Sequence, residues 1–336
     1  IFDVVNMVIC AGGKPVFIDI DLDHFSPNLN EINKYYNNKT AAILVTHMHK
    51  SVKNLFEINE FCKQKNIKLI EDAAIAFGAS VNGKKLGTIG NIGIYSFSMF
   101  KFVSSFNGGA IVTQDSDIYK KILDELSTFK KSTPINFIKK FIYGLLIDIV
   151  TINFIFQFFT SRIFRFGFLN KIRIINNFTK NDPNPFFLKK LPDNYKLLIS
   201  NHQAKSIDKQ LKNVKYNYSI RKSFFKTYYE ELKDIDEIMI PTYNENYSDP
   251  YINFPILYNK RNELLKFLFH NKRDIGFYFY RNCNEINFFK DYFNSKIINI
   301  KKINEQLIIL PTYSRYSYTN VKKNIDLIKL FFNKKN

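Results

Sequence analysis

Short apolar runs alternate with an amphipathic stretch over the first third of the chain, and this rhythm constrains the fold more than any other feature. The runs are PVFIDI (15–20), AAILVT (41–46), IKLIED (67–72), IGIYSF (92–97) and GAIVT (109–113), each of strand length. Between the second and third lies NLFEINEFCKQKN, in which Leu55, Ile58, Phe61 and Cys62 recur at the spacing of one helix face. Strand, crossover helix and strand form a β-α-β unit, which demands a mostly parallel sheet with covered faces. The sequence therefore predicts an α/β fold here, and it shows no internal repeat.

The character changes at Thr133. In TPINFIKKFIYGLLIDIVTINFIFQFFTSRIFRFGFLNKIRII, residues 141–159 are almost wholly apolar and are flanked by Lys139, Lys140, Arg162 and Arg165. The length would permit a bilayer span, but Asp148, Asn153 and Gln157 interrupt it. A charge at the bilayer centre costs roughly 2.5–3.5 kcal/mol even on the lenient translocon scale. A helix lying in a membrane interface, or one packed against the protein or across a dimer, fits better than a span. The polar turn TKNDPNPFFLKKLPDN closes this insertion.

Residues 195–232 read as one long helix with an apolar stripe of Ala204, Ile207, Leu211 and Val214. Beyond it, strands are predicted at YINFPILY (251–258), IGFYFY (275–280) and LIILPT (307–312), with helices at about 260–271 and 319–333. The expected organisation is a large α/β domain over 1–130, an apolar and basic insertion over 131–190, a connecting helix over 191–232, and a small α+β domain over 233–336.

At 336 residues and 46% hydrophobic content, the chain can bury a sizeable core. Its net charge of +19 is spread as lysines among Asn, Ile, Phe and Tyr, the mixture an AT-rich genome produces. No helix-turn-helix, zinc or RNA-binding motif accompanies that charge, so anionic ligands or membranes are expected as partners and nucleic acid is not. Cys10, Cys62 and Cys283 lie far apart with no CxxC spacing, which excludes a disulfide framework or a Cys-rich metal site and fits a reducing cytoplasm. The opening IFDVVNMVICAGGKPVFIDID has no basic n-region and no cleavage site, so it reads as a start inside a domain and not as a signal peptide.

Three residues carry the chemistry. Asp72 ends the IKLIED run, and open α/β sheets place ligands at the carboxyl ends of their strands. A carboxylate there must be solvated, capped or paired. Capping a helix-like AAIAFG is the local reading, and pairing with a buried cation is the functional one. Lys101 lies four residues beyond IGIYSF, between Phe100 and Phe102, and packed aromatics there would desolvate its ammonium. A desolvated lysine has a depressed pKa and suits Schiff-base chemistry, although a surface charge is the competing reading in so lysine-rich a chain. With the Ser96 hydroxyl, these residues meet the needs of pyridoxal 5′-phosphate (PLP): an amine to attach it, a carboxylate for its ring nitrogen, and a hydroxyl for its phosphate.

The wording of the motifs goes further. EDAA, a G-x-x-x-x-G turn, a strand ending SF-x-x-x-K, and GGA follow one another between residues 71 and 110. With AGGKPVFIDID, LVTHMHKSVKN, SNHQAKSIDKQL and LIILPTYSRYS, they make the chain similar to the DegT/DnrJ/EryC1/StrS family of PLP-dependent sugar aminotransferases over about 1–130 and 190–336. The resemblance implies the aspartate-aminotransferase (type I) fold. Lys101 would bind the cofactor covalently and act as catalytic base, Asp72 would pair with the pyridinium, and Ser96 would hold phosphate. It implies a homodimer that transfers an amino group, typically from glutamate, to a keto group on a nucleotide-linked sugar for surface-glycan synthesis. The apolar run and its basic flanks, taken with the cysteine usage, lead one to expect a cytoplasmic enzyme with peripheral contact at the inner membrane face through 136–166. Dehydratases of the family carry His at the lysine position, so Lys101 favours transamination.

Several positions depart from the pattern. Ile75 stands where the family has Gln, Lys50 at a loop glycine, Phe106-Asn107 at an acidic-Gly step, and Lys196-Leu197-Leu198 at an Asn-x-Arg. The ring-stacking aromatic would fall at about Ile1 or Phe2, and the phosphate-binding Gly-Thr turn has no counterpart. A degenerate aminotransferase-like binding or scaffold protein without catalysis is therefore the alternative.

Overall fold

The computed structural model describes residues 2–27, 29–50, 52, 54–177, 184–243, 248–276, 282–292 and 297–334. Four of the predicted strands form one sheet. Ala42–Thr46, Lys68–Asp72 and Ile92–Ser96 run parallel, and Gly109–Val112 pairs antiparallel with Ile92–Ser96. Thr46 lies opposite Asp72, and Asp72 opposite Ile94, so the carboxyl ends of the parallel strands are level. The helix Leu55–Gln64 buries the predicted face, Leu55, Ile58, Phe61 and Cys62, in one core with Ile43, Val45 and Leu69. All three cysteines are free thiols.

The first run, PVFIDI, is not a strand. Its alternation is real, but Asp19 accepts hydrogen bonds from the backbone N–H groups of Ile298, Asn299 and Ile300 at 2.9–3.3 Å. The segment is thus tied to the N-terminus of the helix Asn299–Gln306, where exposed amide donors favour a carboxylate.

The long helix is in fact two, Asn201–Leu211 and Val214–Leu232. Its predicted stripe is displaced as well: Ala204 and Leu211 are exposed, while Gln203 and Ile207 are buried. Polar side chains take the inward positions for a reason that the site makes plain.

The C-terminal part packs Asn253–Leu257 antiparallel with Leu307–Pro311. Val214–Leu232, Arg261–His270 and Tyr318–Asn333 close over this pair, around Phe225, Phe254, Leu264, Ile308 and Ile325. Of IGFYFY, Gly276 bridges to Ile309, and 277–280 lie outside the described residues.

The apolar insertion folds as Pro134–Val150 followed by Asn153–Leu169, with a π-helical turn at Phe156–Thr160. Among the described residues no single helix is long and apolar enough to cross a membrane, and the two segments, Phe137–Val150 and Asn153–Leu169, meet at a 65° bend. Phe168 packs on Phe269 of the C-terminal core at 5.1 Å, and Asp148 pairs with Arg315 at 2.7 Å.

Candidate active site

Lys101 sits on a loop that closes on itself directly after the Ile92–Ser96 strand. Phe97 donates its N–H to Gly108 O, and Ser105 donates to Phe97 O, both at 2.8 Å, so residues 97–108 leave and re-enter the sheet at one point. The aromatic neighbours do not share the role expected of them. Phe102 is buried beside Phe97, Val103 and Ile207, with the Arg221 guanidinium 4.9 Å from its ring centre. Phe100 instead adopts φ +68° and is 70% exposed, so it shields nothing. Lys101 is nonetheless half-buried. Burial pushes its ammonium pKa below the ordinary lysine value, and the nearby Asp72 carboxylate partly opposes that shift.

Asp72 is 9% exposed. Its Oδ1 accepts from Ala74 N at 3.0 Å, and Thr46 Oγ1 lies at 3.5 Å from Oδ2, at the outer limit for a bond. Residues 73–79 form turns and no helix, so the local role of this carboxylate is a two-residue Asx turn and not a helix cap. Ser96 and Ser98 bring their hydroxyls to 3.0 Å of each other at the end of the same sheet. The Lys101 amine thus lies within electrostatic reach of the Asp72 carboxylate, and the paired Ser96 and Ser98 hydroxyls stand at the end of the neighbouring strand. This donor set fits PLP.

Two supports escaped the sequence reading. Glu71, fully buried, accepts from Gly87 N and Ile89 N at 2.7 Å, from Gly90 N at 2.6 Å, and pairs with His47 Nε2 at 3.0 Å. Val52 N donates to His47 Nδ1 at 3.3 Å, which leaves the ring proton on Nε2, facing Glu71. Burial alone would raise the Glu71 pKa, but the bonds from His47, Gly90 and Gly87 hold it below the usual glutamate value. The second support comes from Asn201–Leu211. Gln210 Oε1 accepts from Ser104 N at 3.0 Å, and its Nε2 donates to Ser104 O at 2.7 Å. Gln203 Nε2 donates to Ser105 O at 3.1 Å. The inward glutamines therefore fix the backbone three and four residues past Lys101. Their one available signal was a seven-residue spacing on one helix face.

The departures also find places. The Lys50 ammonium is buried and donates to the carbonyl and hydroxyl of Thr242, 3.7 Å from Asp249 Oδ2, which ties its loop to the C-terminal part. Lys196 pairs with Glu125 at 3.3 Å. Ile75 is half-buried.

The sheet, the lysine loop and the C-terminal α+β part define the type I, aspartate-aminotransferase-like fold. The chain belongs to the DegT/DnrJ/EryC1/StrS aminotransferase family, whose model matches residues 2–133 and 168–329. GDP-perosamine synthase of Escherichia coli O157:H7 is 34% identical over 119 residues, which cover 35% of this chain and 33% of that protein. The dTDP-4-dehydro-2,3,6-trideoxy-D-glucose 4-aminotransferase of Saccharopolyspora spinosa is 32% identical over 113 residues, 34% of this chain and 29% of that one. The match thus spans about a third of the length of these curated relatives. Among solved structures, the aminotransferase TlmJ from Streptoalloteichus hindustanus superposes with a TM-score of 0.72 at 18% identity, over 98% of this chain and 76% of that one. The E. coli GDP-4-keto-6-deoxy-D-mannose-3-dehydratase, solved with bound hydrated PLP, gives 0.65 at 18% identity, over 95% and 75%.

Proposed function

We propose that this chain provides the lysine and carboxylate of a PLP-dependent aminotransferase, moving an amino group from glutamate to a keto group of a nucleotide-linked sugar destined for surface glycan. The observation that carries this reading is the half-buried Lys101 amine, its proton affinity lowered by burial, within electrostatic reach of Asp72 at the strand ends. Relatives named for GDP- and dTDP-linked sugars support the substrate class.

When bound, PLP supplies an electron sink that no side chain offers. Lys101, whose proton affinity burial lowers, would attach the cofactor through its amine and would then act as the base that takes up and returns the proton at the amino-bearing carbon. Asp72 would keep a proton on the ring nitrogen, since a carboxylate stabilises the cationic form. Ser96 would offer its hydroxyl to the phosphate, and the Gln203 and Gln210 bonds hold the lysine loop in register. The partners in this reading are the nucleotide sugar, the amino donor and a second copy of the chain, and the location is the cytoplasm.

The test is Lys101→Ala in the protein loaded with PLP. Loss of turnover together with loss of the borohydride-reducible visible band is expected, and persistence of that band would show that another amine holds the cofactor.

A further inference from the structure

We propose that the two helices between Pro134 and Leu169 seat the protein in the headgroup layer of an anionic bilayer, lying in one leaflet without crossing it. This proposal goes beyond the catalytic reading and stands without it. Sixteen of the thirty-three large apolar side chains left exposed among the described residues lie between Ile135 and Leu169. They include Ile142 (52%), Leu146 (56%) and Ile149 (50%), one face of the first helix, and Phe159 (61%) and Phe166 (57%) on the second. An apolar patch of this extent marks an interaction surface. The family model matches up to residue 133 and resumes at 168, so the face lies in a segment that the family's sequence pattern does not describe.

Charge identifies the occupant. Between residues 134 and 173 stand Lys139, Lys140, Arg162, Arg165, Lys171 and Arg173 against the single acid Asp148, which is already paired with Arg315. A two-fold contact between copies would set this cationic patch against itself, whereas an anionic surface complements it. The polar residues of the elbow are satisfied within the helices: Gln157 Nε2 donates to Asn153 Oδ1 at 3.0 Å, Thr151 Oγ1 to Ile147 O at 2.8 Å, Thr160 Oγ1 to Val150 O at 2.8 Å, and Ser161 Oγ to Gln157 O at 3.2 Å. Immersing the elbow therefore strands few hydrogen-bonding groups. The two segments together have the length and composition of a bent span, but the 65° bend between them and the pairing of Asp148 with Arg315 of the C-terminal part suit a helix pair lying in an interface.

The seat also touches the lysine loop. Phe106 packs edge-on against Phe137 and Phe141, both at 5.7 Å, so the first helix is in contact with the segment that carries Lys101.

The experiment is flotation of the full chain with vesicles of equimolar phosphatidylcholine and phosphatidylglycerol, compared with phosphatidylcholine alone. Two variants accompany it: Ile142→Ser with Leu146→Ser and Ile149→Ser, and Lys139→Gln with Lys140→Gln, Arg162→Gln and Arg165→Gln. The wild type should float with the anionic vesicles and release as salt rises. The basic-residue variant should partition at least about a hundredfold more weakly. The serine variant should remain in the dense fraction with an unchanged circular dichroism spectrum. If it misfolds, the basic-residue and salt arms still decide. Absence of wild-type flotation overturns the proposal, as does flotation that is indifferent to lipid charge and to all these changes. Concentration-dependent dimerisation abolished by the serine changes, without vesicle binding, would assign the face to a second copy instead.

Discussion

Replacing Glu71 by Gln tests whether its buried carboxylate is what fixes the strand end carrying Asp72. Oε1 serves Ile89 N and Gly90 N, and Oε2 serves Gly87 N and His47 Nε2. An amide supplies one oxygen, so whichever way it turns, its NH2 group faces two donors. If it faces His47, the ring can surrender Nε2 only by placing a proton on Nδ1, against Val52 N. At least one backbone N–H is thus left opposed, and every remaining bond loses its charged acceptor. Bonds to a charged group are worth roughly 1.5–3 kcal/mol each, and a buried donor left without an acceptor costs about 1–3 kcal/mol more. We expect a loss of about 3–5 kcal/mol, a large part of the roughly 5–15 kcal/mol that ordinary domains possess. Urea unfolding followed by far-UV circular dichroism measures it on the chain as it stands, and a loss under about 1 kcal/mol would refute the reasoning. The same site sets an acid limb. Its folded pKa is depressed, so the stability it contributes is complete above the unfolded value of about 4.3 and disappears as pH falls through the folded one. The Gln variant should lack that component.

Two further outcomes follow from the buried ionisable groups. Asp72→Asn can still accept from Ala74 N, so its stability should stay within about 1 kcal/mol of wild type. Its turnover should collapse, and pH-dependent labelling of the Lys101 amine should show a midpoint lower than wild type, because Asp72 raises that pKa. Near-normal turnover would leave Asp72 only the turn. His49, buried with Nδ1 2.6 Å from Asn253 Oδ1, has its pKa pushed down to about 4 by desolvation. The unfolded ring binds its proton first, so stability should fall as pH drops from about 6.5 to about 4, by up to about 3 kcal/mol. Urea midpoints across that range, compared with His49→Gln, should show the slope in wild type alone, and equal slopes would place the titration elsewhere.

The parts of this molecule legible in its sequence are those that apolar periodicity or a local motif encodes. Buried parallel strands are continuous apolar runs, and the Leu55–Gln64 helix has an unmixed face, so both stood out. Spacing and family wording single out Asp72, Ser96 and Lys101, whose roles the Lys101→Ala and Asp72→Asn variants test. The failures share one cause: a backbone group elsewhere needed a polar partner. Asp19 serves amides about 280 residues away, which turns a strand-like run into a tether. Gln203 and Gln210 face inward because Ser104 and Ser105 require donors and acceptors, and no hydrophobic period can register that.

Phe106 joins two observations that the sequence offered separately, the apolar insertion and the lost acidic-Gly step. It holds φ +64°, a conformation that costs a β-carbon-bearing residue roughly 1–2 kcal/mol. Its ring contacts with Phe137 and Phe141 offset that cost, since such aromatic pairs contribute about 0.5–1.5 kcal/mol each beyond their burial. Gly144 completes the fit, for a Cβ there would lie 2.7 Å from Phe106 Cε1. A phenylalanine at this turn is therefore sensible only with the insertion in place, and the two departures from the family pattern act as a single structural change.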